Sequence, residues 1–146
     1  MAGFKLCKSL KSSHKNEVKL GGNRGGRQSE ARKQKINEKH AQIANIVGSV
    51  VAHSLQVPPA EMFAQTRCRA NTALARQIAI YLLHTGVGLS LNQVAPLFRR
   101  DRTTVAHACR RVEELRDDVH IDTLLGHLER SLDALRPVVF VEDKRP

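Results

Sequence analysis

From about Glu30 onward the apolar residues fall into a helical rhythm. Ile36, Ile43, Ile46, Val47, Val50 and Val51 recur at threes and fours and share one stripe, and Pro58-Pro59 closes that element after Leu55. The spacing predicts a first helix of about 22 residues whose basic front turns fray. Pro59 suits the first turn of a short helix running through Phe63, and Thr66-Arg67-Cys68-Arg69 reads as a polar, basic loop. A second long helix is expected from a cap at Asn71 or Thr72. It turns Leu74, Ile78, Tyr81 and Leu82 inward and stops at Gly86. Ser90 is a natural cap for a short helix from Leu91 to Phe98, in which Pro96 removes a backbone donor and predicts a kink or a loosened turn.

The next stretch is the most informative. Val105, Ala108, Cys109, Val112 and Leu115 make a buried stripe, while Thr103, His107, Arg110 and Arg111 fall on the opposite side. Asp101 is placed to cap this helix, which leaves backbone N–H groups and the positive end of the helix dipole facing any docking anion. A short helix, a tight turn and a second helix that opens with exposed Arg and Thr form the layout of a helix-turn-helix. A last helix, Ile121 to Leu135, should pack through Leu124, Leu125, Leu128, Leu132 and Leu135.

Charge sharpens the picture. The 146 residues contain 24 Lys or Arg and 14 Asp or Glu, a formal net charge of +10. The excess lies early and in the middle: residues 1–40 and 41–112 are both strongly basic, and 113–146 is acidic. Residues 1–29 lack apolar periodicity and contain Gly21-Gly22-Asn23-Arg24-Gly25-Gly26-Arg27, so a flexible basic arm is expected there, followed by a helical domain over 30–136 and a tail over 137–146. Gly21 and Gly26 have the spacing of a phosphate loop. Arg27 and Gln28 stand where its lysine and Ser/Thr belong, however, so a linker is the better reading and no nucleotide is expected. Neither a signal-peptide core nor a membrane-length apolar run is found, and a cytoplasmic, nucleoid-associated protein with no membrane partner is expected. Cys7, Cys68 and Cys109 are odd in number and scattered, and no histidine has ligand spacing to them. Reduced thiols and no metal or other cofactor follow.

The run Ala75-Arg76-Gln77-Ile78-Ala79-Ile80-Tyr81-Leu82, then Gly88-Leu89-Ser90-Leu91, then Arg100-Asp101-Arg102-Thr103-Thr104-Val105-Ala106-His107-Ala108-Cys109-Arg110-Arg111-Val112-Glu113 resembles the C-terminal duplex-DNA-binding domain of the bacterial replication initiator DnaA. The resemblance spans about residues 41 to 135. It implies an all-α helix-turn-helix bundle of the Trp repressor and DnaA C-terminal type, with one helix in the major groove and a basic loop in the neighbouring minor groove. It places Arg102 and Thr103 at base edges, Thr104 and His107 near the backbone, Arg67 or Arg69 in the minor groove, and Arg76 and Gln77 on phosphates. With Ser90, Arg99, Arg100, Asp101 and Arg111 these make up the expected DNA-binding set. Two departures stand out. One residue fewer separates Phe98 from Asp101 than in the family, which usually has two glycines there. Arg102 replaces the family's histidine and can take guanine O6 and N7 in a bidentate fork.

Nothing upstream of Glu30 resembles the initiator's ATPase module, so a freestanding domain that acts by occupying duplex sites, as a transcriptional regulator or a modulator of replication initiation, is the expectation. The alternative is an architectural or protein-interaction module in which the arm binds nucleic acid without preference and the acidic C-terminal third binds a partner or a second copy. Val138-Val139-Phe140-Val141 favours that alternative. Catalysis is not expected, because no nucleophile, base and orienting group converge.

Overall fold

The computed structural model describes residues 26–65 and 69–139, and all its regular structure there is helical. The order is α1 (Gly26–Ser54), α2 (Pro59–Met62), α3 (Ala70–Thr85), α4 (Leu91–Leu97), α5 (Arg102–Leu115) and α6 (Val119–Val139). The basic arm upstream of Gly26, the Thr66, Arg67 and Cys68 portion of the loop, and Phe140 onward lie outside the described residues.

Helix α3 is the hub of the bundle. Ala75, Ile78, Ala79, Ile80, Leu82 and Leu83 are all buried, so it is apolar nearly all round, as a helix covered on several sides must be. It packs against α1, α2, α4 and α5. Ile43, Val47 and Val51 of α1 enter the same core, as do Val94 and Phe98 around α4, the α5 stripe, and Leu125 and Leu128 of α6. Phe98 stacks on Phe63 with ring centroids 5.2 Å apart, which fixes the end of α4 against the α2 turn. Gly48 permits this approach, since a Cβ there would lie 3.0 Å from the Phe63 ring.

Several expectations require correction. Helix α1 begins at Gly26, ahead of Glu30, and its opening turns project from the bundle with residues 28–39 exposed. Its expected stripe is only partly buried: Ile36 is 44% exposed on the projecting turns, and Ile46 is 37% exposed where it lines an open groove toward α6. Neither Asn71 nor Thr72 caps α3. The cap position is Arg69, without a side-chain hydrogen bond, and the buried Thr72 hydroxyl donates instead to Glu61 Oε2 at 2.9 Å. Gly86 does stop α3, as expected, but it stays right-handed (φ −82°), and the reversal that starts the path to α4 falls on Gly88 (φ +86°). Pro96 lies one residue before the end of α4, so its missing donor costs little helix. Helix α6 runs through Pro137 to Val139, past the expected boundary at 136. No helix among the described residues is long and apolar enough to cross a membrane.

Candidate nucleic-acid interface

The two helices at the centre of the site are each started by their own sequence. Ser90 and Gln93 close a capping box on α4: the Gln93 N–H donates to Ser90 Oγ at 3.3 Å, and the Ser90 N–H donates to Gln93 Oε1 at 2.8 Å. The serine oxygen is thus engaged in starting α4. On α5 the Thr104 N–H donates to Asp101 Oδ1 at 2.6 Å, the expected cap.

The turn between them carries an unusual backbone. The Arg99 N–H donates to Pro96 O at 3.2 Å and the Arg100 N–H to Ala95 O at 3.0 Å, the paired bonds of a Schellman motif. That motif needs a left-handed residue, and Arg99 takes the position with φ +50°. A glycine would do so without a Cβ penalty. Arg99→Gly is therefore expected to raise stability by about 1 kcal/mol, read as a higher urea midpoint. If the exposed Arg99 guanidinium meets a phosphate, the same variant binds DNA more weakly and with a smaller salt slope.

The α5 stripe separates cleanly. Val105, Ala108, Cys109 and Val112 are buried, whereas Asp101, Arg102, Thr103, Thr104, His107, Arg110 and Arg111 are exposed. Burial pushes the Cys109 thiol up to about 11, as expected of a core cysteine. No acidic residue follows Asp101 in the first turn of α5, so cationic side chains and the helix dipole act together at that end. The hydrogen bond from the Thr104 backbone holds the Asp101 carboxyl below its usual range. A group with a lowered folded pKa gives its stabilisation above the unfolded value, near pH 4, and loses it as pH falls through the folded one. Acid unfolding monitored by circular dichroism should therefore show a component below about pH 4 that Asp101→Asn removes, since the amide caps without titrating.

A shallow groove of about 150 Å³ between α3 and α5 brings together Gln77 with Arg100, Thr104 and His107, drawn from two separate stretches of sequence. The structure therefore gathers the Gln77, Arg100, Thr104 and His107 positions on one face, beside Arg102 and Thr103. Arg69 is exposed at the start of α3, and Arg67 lies outside the described residues.

Arg76, expected on a phosphate, is held by backbone partners within the protein. Its side chain lines the same groove but is only 9% exposed. Nε donates to Met62 O and Nη2 to Glu61 O, both at 2.8 Å, so the guanidinium satisfies the carbonyls at the end of α2 and ties that turn to α3. Sequence periodicity does place this position on the face of α3 toward α2, but nothing local says that the facing atoms are carbonyls. The Ser90-x-x-Gln93 spacing, by contrast, is a local signal for the capping box, of which the sequence reading took only Ser90.

A short capped helix, a tight left-handed turn and a second helix with a buried stripe and an exposed cationic opening define a helix-turn-helix domain. Residues 43–112 match the family described as the bacterial DnaA protein helix-turn-helix. This stretch is a helix-turn-helix domain of the DnaA family. Among solved structures, the chain resembles a replication initiator DnaA bound to AMPPCP and single-stranded DNA, with a TM-score of 0.58 and 31% identity over 75% of this chain and 32% of that one. A DNA replication initiation factor gives a TM-score of 0.58 and 32% identity over 73% of this chain and 32% of its own. DnaA from Aquifex aeolicus bound to AMPPCP gives 0.55 and 29% over 75% and 32%. The chain thus spans about a third of the length of the structures it matches.

Proposed function

We propose that this protein binds specific sites in double-stranded DNA by inserting the opening turn of α5 into the major groove, and acts by occupying those sites, as a transcriptional regulator or a modulator of replication initiation. The observation that carries this reading is the exposure of Arg102, Thr103, Thr104 and His107 at the capped end of a helix whose opposite face is buried. Arg102 and Thr103 are assigned to base edges. Thr104, His107, Gln77 and Arg100 hold the neighbouring phosphates, and Arg69 or Arg67 reaches the minor groove. Arg99 and Arg111 add charge beside the helix, and Ser90 and Asp101 act through the helix starts they cap.

Binding-site selection on random duplex DNA, followed by titration of the enriched site at several salt concentrations, tests the proposal. An enriched motif is expected, with log affinity falling by about 0.9 per phosphate contact for each unit of log salt. A flat selection with retained salt dependence would favour the architectural reading. One feature supports that alternative: Arg32, Lys33, Lys35 and Lys39 are all exposed on the projecting turns of α1, a cationic rod with no base-reading geometry.

A further inference from the structure

A sizeable cavity among the described residues lies away from the exposed opening turn of α5. It is a half-open groove of about 480 Å³ bounded by α1, α3, α6 and the C-terminal end of α5, within the size range of ligand-binding clefts. Ile43, Ile46 and Val47 of α1 form one wall, and Leu132 and Leu135 of α6 form another. Its floor is Tyr81, with the Arg116 guanidinium 5.5 Å from the ring centroid. Upstream of the groove, the exposed Ile36 sits on the same side of α1 as Ile43 and Val47, so the apolar track continues along the projecting turns.

The rim is acidic in balance. Glu113, Glu129 and Asp133 border the groove beside Arg116 and Arg136. Both arginines already have carboxylate partners: Arg116 pairs with Glu129 and with Asp122 at 3.6 Å, and Arg136 pairs with Asp133 at 3.1 Å. Counting Asp122, four carboxylates face two guanidiniums. Such a groove disfavours a nucleic-acid backbone and suits a partner that is apolar and cationic at once.

The chain itself contains such a segment. Phe4-Lys5-Leu6-Cys7-Lys8-Ser9-Leu10-Lys11 interleaves four apolar residues with three lysines and has no acid. We propose that residues 4–11 dock in this groove, placing apolar side chains between Ile46 and Leu135 and lysines against Glu113, Glu129 and Asp133. The reach suffices. From Gly26 to Ile46 along α1 is about 30 Å. The intervening residues 12–25 span up to about 46 Å when extended and about 20 Å as a flexible coil. Tethering makes the docking intramolecular, so modest contact energy is enough to populate it. The groove includes the far end of α5, about 16 Å along the helix from Arg102, so an arm lying there is held away from the DNA-facing turn. The proposal does not depend on the DNA reading.

The test uses the full chain carrying Cys68→Ser, with a nitroxide at Cys7; Cys109 is buried and its thiol is pushed up to about 11, which protects it from the reagent. Methyl resonances of Ile46, Leu132 and Leu135 are compared before and after reduction of the nitroxide. The proposal expects strong broadening of these methyls but not of the Val94 methyls in the core near α4. It also expects the broadening to disappear in the Lys5→Glu, Lys8→Glu, Lys11→Glu triple variant and in high salt. Unbroadened groove methyls would overturn it. So would broadening that survives charge reversal, or broadening of equal size when the nitroxide and the isotope label are on different chains, which would assign the groove to a second copy.

Discussion

Arg76→Ala is expected to lower the free energy of unfolding by about 2–4 kcal/mol, a combination of two charged hydrogen bonds lost and the buried Met62 carbonyl deprived of its side-chain donor. The two bonds to Met62 O and Glu61 O tie the α2 turn to α3 beside the Thr72–Glu61 hydrogen bond, and the side chain is nearly enclosed. Urea unfolding would read the loss as a lower midpoint at unchanged slope. Arg76→Lys keeps the charge but not the planar fork, and should recover only part of it. The result also decides between two roles for this residue. A phosphate contact predicts unchanged stability with affinity reduced for every DNA sequence alike. A clamp predicts an early unfolding midpoint, and near-normal affinity once the variant is measured cold enough to be folded.

Arg102→Ala should weaken binding to the selected site by about 1–3 kcal/mol, on the order of ten- to a hundred-fold, and flatten the preference at a single base pair. The side chain is exposed on the opening turn of α5, and Val105 and Cys109 are buried on the opposite face, so truncation removes a contact without opening the core. Stability should therefore hardly change. A guanidinium offers guanine a two-donor fork that an imidazole cannot match, so Arg102→His is expected to change which base is preferred there rather than merely reduce affinity. Competition against a panel of single-base substitutions measures both effects. Equal losses across the whole panel would place Arg102 on the backbone instead.

Much of this domain was legible because helix structure is mostly local. The stripe of Val105, Ala108, Cys109 and Val112, the cap at Asp101, the capping residue Ser90 and the short helix begun by Pro59 each depend on residues within a turn or two of one another. The resemblance around Arg100 to Glu113 supplied the fold class directly. Where the reading failed, the deciding partner was distant in sequence or absent. Thr72 left its expected capping role because Glu61 meets it from α2, while Ile36 stayed exposed on the projecting turns of α1 and Ile46 on the open groove toward α6.

The sequence by itself determined that six helical segments would form, which face of α5 would be buried, and that its cationic opening would remain outside, since periodicity and capping are properties of neighbouring residues. Only the tertiary structure decided that Arg76 turns toward carbonyls, that Arg99 carries the left-handed turn, and that α1, α3, α5 and α6 leave an acidic-rimmed groove between them. Each of those outcomes depends on how helices far apart in the chain approach one another, and their packing satisfies or exposes groups that no local pattern records.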